Sequence, residues 1–308
     1  MDNTYKEIDI SFVVVMYNAD WESLKKTLDS IVSQKNITSE IVIADDGSSE
    51  NHNHNLTNYF RNVGFENYTL VLNTDNHGTV ENLYSGLRVC RGEYVKVISP
   101  KDYLYGQYTM RNWIDYLKEA GQDWSFSDAI YYHEVDGAIV PIECNAHPCS
   151  VDSYAKKNYK KSRWNYFVLS DIALGAAMLC KTSVQKFYCK QLLGKVKYAE
   201  DNVWRLMMFD GVVGTHYPKD TMLYEYGSGI STSANDIWNT RLMNDWLGAD
   251  SIIFEKEKHS LDLFQINMIR AYKQLNNPIM KIFVKGKILS VLKRKFYPRK
   301  TNMLLKGS

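Results

Sequence analysis

The sequence predicts an α/β fold: a Rossmann-like, mostly parallel central sheet with helices on both faces, followed by a helical C-terminal region. Three observations predict it. Short runs rich in Val and Ile alternate with stretches whose apolar residues recur at helical spacing. The first of these runs end in polar residues. The chain has 308 residues, 45% hydrophobic and 23% charged, which is ordinary for one large globular domain or two small ones.

Strands and helices alternate through the first half of the chain. The first predicted helix places Leu24, Leu28 and Ile31 on one face, and Asp20 is its expected N-cap. Strands are predicted at residues 10–17, 40–44, 68–72 and 93–99, and helices at 20–34, 55–62 and 79–90. Ligands of such sheets bind beyond the carboxyl ends of the strands, so we expect these ends to form one crevice.

The second half is less regular. Short strands are predicted around residues 124–142 and 175–181, with helical stretches from about 200, at 233–258 and at 261–275. Pro278 should end a helix. The predicted organisation is therefore a main domain over 1–230, a helical extension over 231–277 and a tail over 278–308.

The tail is basic and apolar. No acidic residue follows Asp262, whereas eleven Lys and Arg lie between Arg270 and Lys306, and the first 262 residues carry 26 basic against 35 acidic residues, a net charge of −9. This asymmetry predicts an anionic partner for the tail, and a membrane surface fits best. Packing on the protein body or pairing of two subunits as a homodimer remains the alternative. Nucleic-acid binding is not predicted, because no recognition motif accompanies the basic residues.

The cysteines indicate a reduced, cytoplasmic environment. They number five, with no Cys-x-x-Cys pair, and no signal-peptide pattern precedes the first strand. Residues 143–149, ECNAHPC, lack a second ligand pair at zinc spacing and are interpreted as a loop.

Six motifs in order resemble the inverting family-two glycosyltransferases of bacterial cell-surface polysaccharide synthesis, which have the GT-A fold. They are VVVMYN, VIADDGSS, NHGTVENLYSGL, RGEYVKVISPKD, GAAM and AEDNVWRL, and they cover about residues 8–230. The resemblance implies that the main domain is an enzyme that moves a sugar from a nucleotide sugar to a saccharide or lipid-linked acceptor. A UDP-sugar is the favoured donor. The enzyme would work at the inner face of the cell membrane.

The resemblance implies a nucleotide site at the first two strand ends. Asp45 and Asp46 would face the base and ribose, because a fixed carboxylate accepts from the N–H of uracil. Tyr17 can stack on the base, beside Asn18. A turn-forming role for the two carboxylates is the alternative.

A divalent ion, Mn²⁺ or Mg²⁺, is the implied cofactor, but its motif is weakened. Relatives have an acidic triplet where this chain has Ser99, Lys101 and Asp102. Either Asp102 anchors a metal held mostly by the diphosphate, or Lys101 itself stabilises the diphosphate. His216 is a candidate for an additional ligand, with a structural role as the alternative.

The implied catalytic base is Asp201, which follows Glu200 at the start of a helix; helix capping is the alternative role. Residues Gly227, Ser228 and Gly229, within YEYGSGIST, are expected to form an acceptor or diphosphate loop, or else a surface turn. Glu200 is expected to contribute to the same acceptor or diphosphate site. Two other functions remain open. A sugar-phosphate nucleotidyltransferase needs a Gly-rich loop after its first strand, which MYNADWES lacks. A non-catalytic nucleotide-sugar-binding protein is favoured by the weakened metal motif.

Overall fold

The structure is a computed structural model that describes residues 7–143, 148, 150–169, 171–227 and 236–256. The strands are β1 (Ile10–Met16), β2 (Ser39–Asp45), β3 (Tyr68–Leu72), β4 (Tyr94–Ile98), β5 (Tyr103–Leu104), β6 (Trp124–Val135), β7 (Ala138–Pro141), β8 (Met178–Lys181) and β9 (Thr215–Glu225). The α-helices are α1 (Trp21–Val32), α2 (Asn53–Val63), α3 (Thr79–Val89), α4 (Thr109–Ala120), α5 (Asp152–Ala155), α6 (Tyr159–Leu169), α7 (Thr182–Leu192), α8 (Asn202–Phe209) and α9 (Asp236–Lys256). A 3₁₀ helix spans Gly175–Ala177.

The strands form one sheet in the order β3-β2-β1-β4-β8-β6-β9-β5, with β7 paired to β6. Strands β3, β2, β1 and β4 are mutually parallel, and β6 is parallel to β9. Strand β8 is antiparallel to both β4 and β6 and joins the two parallel parts. Most paired residues are parallel, which confirms the predicted fold class. The carboxyl ends of β1, β2 and β4 therefore lie at one edge.

Each face of the sheet has its own hydrophobic core, because successive side chains of a strand point to opposite faces. In β1, Phe12 and Val14 pack with residues of α1, α2 and α4. Val13 and Val15 pack on the other face with residues of α3, α7 and α8. The helix α9 joins this second core through Ala249, Ile252 and Ile253.

The sequence prediction is good in the first half and incomplete in the second. It missed β9, whose Pro218, Lys219 and Asp220 interrupt the apolar pattern where the β6–β9 register shifts. It also missed α4 and α5–α7. The predicted helix at 233–258 is confirmed as α9, whereas the stretches at 261–275 and 278–308 lie outside the described residues. In the part of the chain that is described, no helix has the length and hydropathy that a membrane crossing requires.

Candidate active site

A cleft of 1490 Å³ opens at the carboxyl ends of β1 and β4. Its walls come from the loop after β1, the loop after β4, the 3₁₀ helix, the start of α8 and one side of α9. The predicted crevice is thus present, and α9 forms a wall that the sequence did not predict.

Tyr17 and Asn18 lie at the end of β1 and line the cleft. The Tyr17 side chain is 53% exposed, which leaves its ring accessible to a flat ligand. Asn18 has a left-handed backbone (φ 48°), and its Oδ1 accepts from the N–H of Ser49 at 3.0 Å. Its own N–H donates to Ser48 Oγ at 2.7 Å, so the loops after β1 and β2 are joined.

The carboxylates of Asp45 and Asp46 already have protein partners. Asp45 is buried and accepts from the N–H and hydroxyl of Ser48, and it does not line the cleft. Asp46 does line the cleft, and its two oxygens accept from the N–H groups of His77 and Gly78, both at 2.9 Å. Both carboxylates therefore hold loops together, and Asp46 alone of the two is placed to contact a ligand as well.

The side chains of Lys101 and Asp102, the residues that follow β4, point in different directions. Lys101 has a left-handed backbone (φ 77°), which is costly for a residue with a Cβ, and Tyr132 fixes it by donating its hydroxyl to the Lys101 carbonyl. Lys101 Nζ lies 3.9 Å from Glu225 Oε1 at the end of β9. Asp102 is turned inward and buried, and Oδ1 accepts weakly from the N–H of Glu225 at 3.4 Å. All three charged side chains line the cleft.

The sequence analysis did not single out Lys96, a fully buried lysine in the middle of β4. Its ammonium donates to the carbonyls of Val97, at 2.7 Å, and Ala176 in the 3₁₀ helix. Burial lowers the pKa of Lys96 to about 8, and the negative charge of Asp102 opposes this shift. Burial raises the pKa of Asp102 to about 7, against the opposing charge of Lys96. A lysine inside a Val-rich strand was the signal available in the sequence.

The end of the cleft at Asp102 suits a divalent ion only when a bound substrate supplies further oxygen ligands. Among the described residues, no three His, Cys, Asp or Glu side chains are grouped as a metal site. Asp102 and Glu225 are two oxygen donors at one end of the cleft, which suits an ion whose other ligands are phosphate oxygens. His216 does not line the cleft; it packs on Phe126, and its Nε2 lies 2.8 Å from Asp128 Oδ1. The structure thus does not bring His216 to Asp102.

Glu200 and Asp201 lie at the start of α8. Asp201 is the N-cap residue of α8, yet its side chain makes no capping hydrogen bond within the described structure. Its Cβ lies against the 3₁₀ helix, because a Cβ on Gly175 would come within 3.2 Å of it. Both carboxylates line the cleft. The capping role considered for the pair is therefore not observed for Asp201.

Both carboxyl groups have strongly raised pKa values. Burial raises the pKa of Asp201 to about 6, and the charge of Asp245 on α9 adds to this shift. Burial raises the pKa of Glu200 to about 8, helped by the charges of Asp201 and Asp245. Of the two groups, Asp201 has the lower pKa and is therefore the first to ionise as the pH rises. Two neighbouring carboxyl groups with separated pKa values are typical of catalytic acid–base sites.

The remaining predicted loop is described only at its beginning. Gly227 has φ 109° and follows Tyr226, which lines the cleft, while Gly227 itself does not. Ser228 and Gly229 lie outside the described residues.

Asp245 on α9 is a further residue that the sequence did not point to, because a single Asp in a helix of mixed polar and apolar residues resembles a solvent-exposed residue.

The family model described as glycosyl transferase family 2 matches residues 11–187, more than half of the chain. No curated protein matches the sequence.

Solved structures share the fold at low identity. S. aureus TarS residues 1–349 with UDP-GlcNAc has a TM-score of 0.53 and 15% identity, over 92% of this chain and 89% of that one. The same protein with UDP has a TM-score of 0.51 and 14% identity, over the same shares. Mannosyltransferase PcManGT from Pyrobaculum calidifontis, with GDP-Man and Mn²⁺, has a TM-score of 0.58 and 13% identity, over 95% of this chain and 76% of that one. The predicted GT-A fold is thereby confirmed.

Proposed function

This chain belongs to glycosyl transferase family 2, and we propose that it is an inverting enzyme moving a sugar from a UDP-sugar to a saccharide or lipid-linked acceptor. Membership makes it a nucleotide-sugar glycosyltransferase; the nucleotide, the stereochemistry and the acceptor are the proposed parts. The main observation behind the proposal is the Asp201 carboxylate. It lines the cleft, it makes no capping hydrogen bond in the described part of the chain, and its pKa is raised to about 6.

Asp201 is the proposed general base. Its carboxylate takes the proton of an acceptor hydroxyl as that oxygen attacks the anomeric carbon of the donor. The new C–O bond forms as the bond between the anomeric carbon and the diphosphate oxygen breaks, and the nucleoside diphosphate leaves with the bonding electrons. Attack from the face opposite the leaving group inverts the anomeric centre, and no covalent intermediate with the protein is needed.

Glu200 is proposed to bind rather than to accept a proton. With a pKa raised to about 8, it is protonated at neutral pH and can donate a hydrogen bond to a sugar oxygen. Its protonation also spares Asp201 a second negative charge beside it. The pair therefore presents one base and one donor to the bound sugars.

The donor nucleotide is proposed to lie at the ends of β1 and β2. The exposed Tyr17 ring, Asn18 and the Asp46 carboxylate line that end of the cleft. A carboxylate acceptor suits the N–H of uracil, and TarS structures hold UDP and UDP-GlcNAc, which supports a UDP-sugar.

The diphosphate is proposed to lie near the end of β4. Asp102, with the Glu225 carboxylate as a second oxygen donor of the same cleft, would hold a Mn²⁺ or Mg²⁺ ion, which when bound offsets the charge of the departing diphosphate. The PcManGT structure contains Mn²⁺, which supports this. Lys101 contributes positive charge at the same end, and that contribution does not depend on a metal.

A panel of nucleotide sugars tests the proposal. Release of free nucleoside diphosphate should be observed with at least one UDP-sugar. The Asp201→Asn variant should bind UDP with the wild-type affinity, but it should form UDP from the UDP-sugar no faster than the uncatalysed reaction does. A non-catalytic nucleotide-sugar-binding protein, the second candidate, would bind UDP and show equal background release with and without Asp201.

The tail over 278–308 is proposed to hold the enzyme at an anionic membrane surface on the cytoplasmic side, where a lipid-linked acceptor in cell-surface polysaccharide or capsule synthesis would be reached. Nine Lys and Arg without an acid support this role, since each near an anionic leaflet contributes about 1 kcal/mol. Pairing of two subunits through the tail is the alternative.

A further inference from the structure

The segment Lys195–Ala199 leads directly into Glu200 and Asp201, and α9 lies directly on it. A Cβ on Gly248 of α9 would come 2.0 Å from the Lys195 carbonyl oxygen. Glycine inside a helix costs about 1 kcal/mol relative to alanine, so its presence here allows a close approach that no other residue permits. The backbone of α9 thus contacts the backbone of this segment without an intervening side chain.

One turn before Gly248, Asp245 receives three consecutive backbone N–H groups of the segment. Its Oδ1 accepts from Lys197 at 2.9 Å, and its Oδ2 accepts from Tyr198 at 2.7 Å and Ala199 at 2.8 Å. Asp245 is only 5% exposed. Hydrogen bonds from backbone N–H groups to a buried carboxylate are stronger than neutral ones, and three of them fix the position of the chain they come from.

The opposite side of the segment is held by the start of α3. The Lys197 carbonyl accepts from the N–H of Val80 at 3.1 Å, and a Cβ on Gly78 would lie 2.7 Å from that carbonyl oxygen. The Ala199 carbonyl accepts from the Asn202 side chain at 2.9 Å. The segment is therefore clamped between two glycine contacts, and Asp245 supplies the hydrogen bonds on the α9 side.

We propose that Asp245 is the positioning residue for the catalytic base: it fixes the backbone of Lys197–Ala199 and thereby sets where the Asp201 carboxylate stands in the cleft. This inference rests on the proposed function of Asp201. It makes α9, which lies beyond the matched family region of 11–187, a working part of the active site.

Electrostatics gives the proposal a second readout. The negative charge of Asp245 raises the pKa of both Glu200 and Asp201. The other charged side chains of the same part of the cleft are Arg205 on α8, which pairs with Asp250, and Arg241 on α9. A neutral residue at position 245 should therefore lower the pKa of Asp201, a shift that loss of the backbone hydrogen bonds without loss of the charge would not produce.

The test compares Asp245→Asn with Glu255→Gln, a control on the same helix. Glu255 is exposed and pairs with Lys195 at 3.4 Å, so its variant removes one charge from α9 without touching Tyr198 or Ala199. The assay is UDP release from the UDP-sugar that the panel identifies, measured against pH, with UDP binding by calorimetry. For Asp245→Asn we expect kcat to fall by on the order of 10²-fold, because a displacement of about 1 Å has that effect. The acidic limb of the pH–rate profile should move to lower pH, and the Kd for UDP should stay within about twofold of the wild-type value.

The control should match the wild type in all three measurements. Unchanged kcat and an unchanged acidic limb in folded Asp245→Asn would overturn the proposal, and so would a parallel loss of UDP binding, which would indicate general disruption of the cleft. These outcomes differ from failure of the proposed function, in which Asp201→Asn itself keeps wild-type turnover.

A measurement on the unmodified protein covers the case in which Asp245→Asn does not fold. Hydrogen exchange of peptides spanning residues 195–201 should show the amides of Lys197, Tyr198 and Ala199 protected to the level of neighbouring helices. Exchange at the rate of an open loop would refute the clamp.

Discussion

The pH dependence of turnover offers the sharpest test of Asp201 as the base. The perturbation is a change from pH 7 to pH 5 in the wild-type enzyme, and the relevant quantity is kcat/KM, which reports groups of the free enzyme. With the pKa of Asp201 raised to about 6, the group is ionised in about nine-tenths of the molecules at pH 7 and in about one-tenth at pH 5. Titration of Asp201 by itself therefore lowers kcat/KM about tenfold between pH 7 and pH 5. An ordinary Asp, with a pKa near 4, would lose only about a tenth of its activity.

Unfolding of the protein at pH 5 would also lower the rate. The raised pKa values of the site predict the opposite effect on stability, because proton binding by the folded state stabilises it as the pH falls. Glu200 and Asp201 have folded-state pKa values of about 8 and about 6, above their usual values. Their contribution to the free energy of unfolding is complete below the unfolded pKa, near 4, and is lost as the pH rises through 6 and then 8. This pair therefore favours the folded state at pH 5 relative to pH 8.

The assay is the initial rate of UDP release from pH 4.5 to 8.5, with chemical denaturation at pH 5 and pH 7 as the control. A rate that stays flat between pH 7 and pH 5, in a protein that remains folded, would refute the assignment of the raised pKa to the catalytic base.

Three further predictions concern the rest of the site and the tail. Asp102→Ala should weaken both metal and UDP binding and leave turnover dependent on a much higher Mn²⁺ concentration; full activity of the wild type in excess chelator would transfer this role to Lys101. Asp46→Ala should raise the Kd for UDP and lower the free energy of unfolding by about 1–3 kcal/mol, since it leaves the N–H groups of His77 and Gly78 without their acceptor. Denaturation with and without UDP measures both effects, and Asp45→Ala should raise the Kd for UDP less than Asp46→Ala does. Deletion of 278–308 should abolish sedimentation with anionic vesicles at low salt while activity on a short soluble acceptor persists; equal sedimentation of the two proteins would contradict the membrane role.

The first half of the fold could be predicted because its information is local. Runs such as ISFVVVM form strands buried on both faces, and Leu24, Leu28 and Ile31 define a helical face within a few residues of each other. The edge at which the strands end then follows from parallel pairing, which places Asp46, Asp102 and the β1 end together. The weak points of the prediction were β9 and the helices α5 and α6, where polar residues interrupt the periodicity and tertiary contacts decide the structure. The helix α4 was overlooked although Met110, Trp113 and Leu117 recur at helical spacing.

The sequence by itself determined the fold class, the crevice and the motif that contains Asp201. Only the tertiary structure decided what each side chain does there. It turned His216 toward Asp128 and bound Asp46 to the loop before α3. It buried Lys96 where its charge acts on Asp102, and it brought Asp245 against the segment before Asp201. The physical reason is distance along the chain: periodicity and capping act over a few residues, whereas Asp245 meets Tyr198 across 47 positions. Such a contact forms only when helix and segment are packed on the same core, and the pKa values of Glu200 and Asp201 follow from that packing.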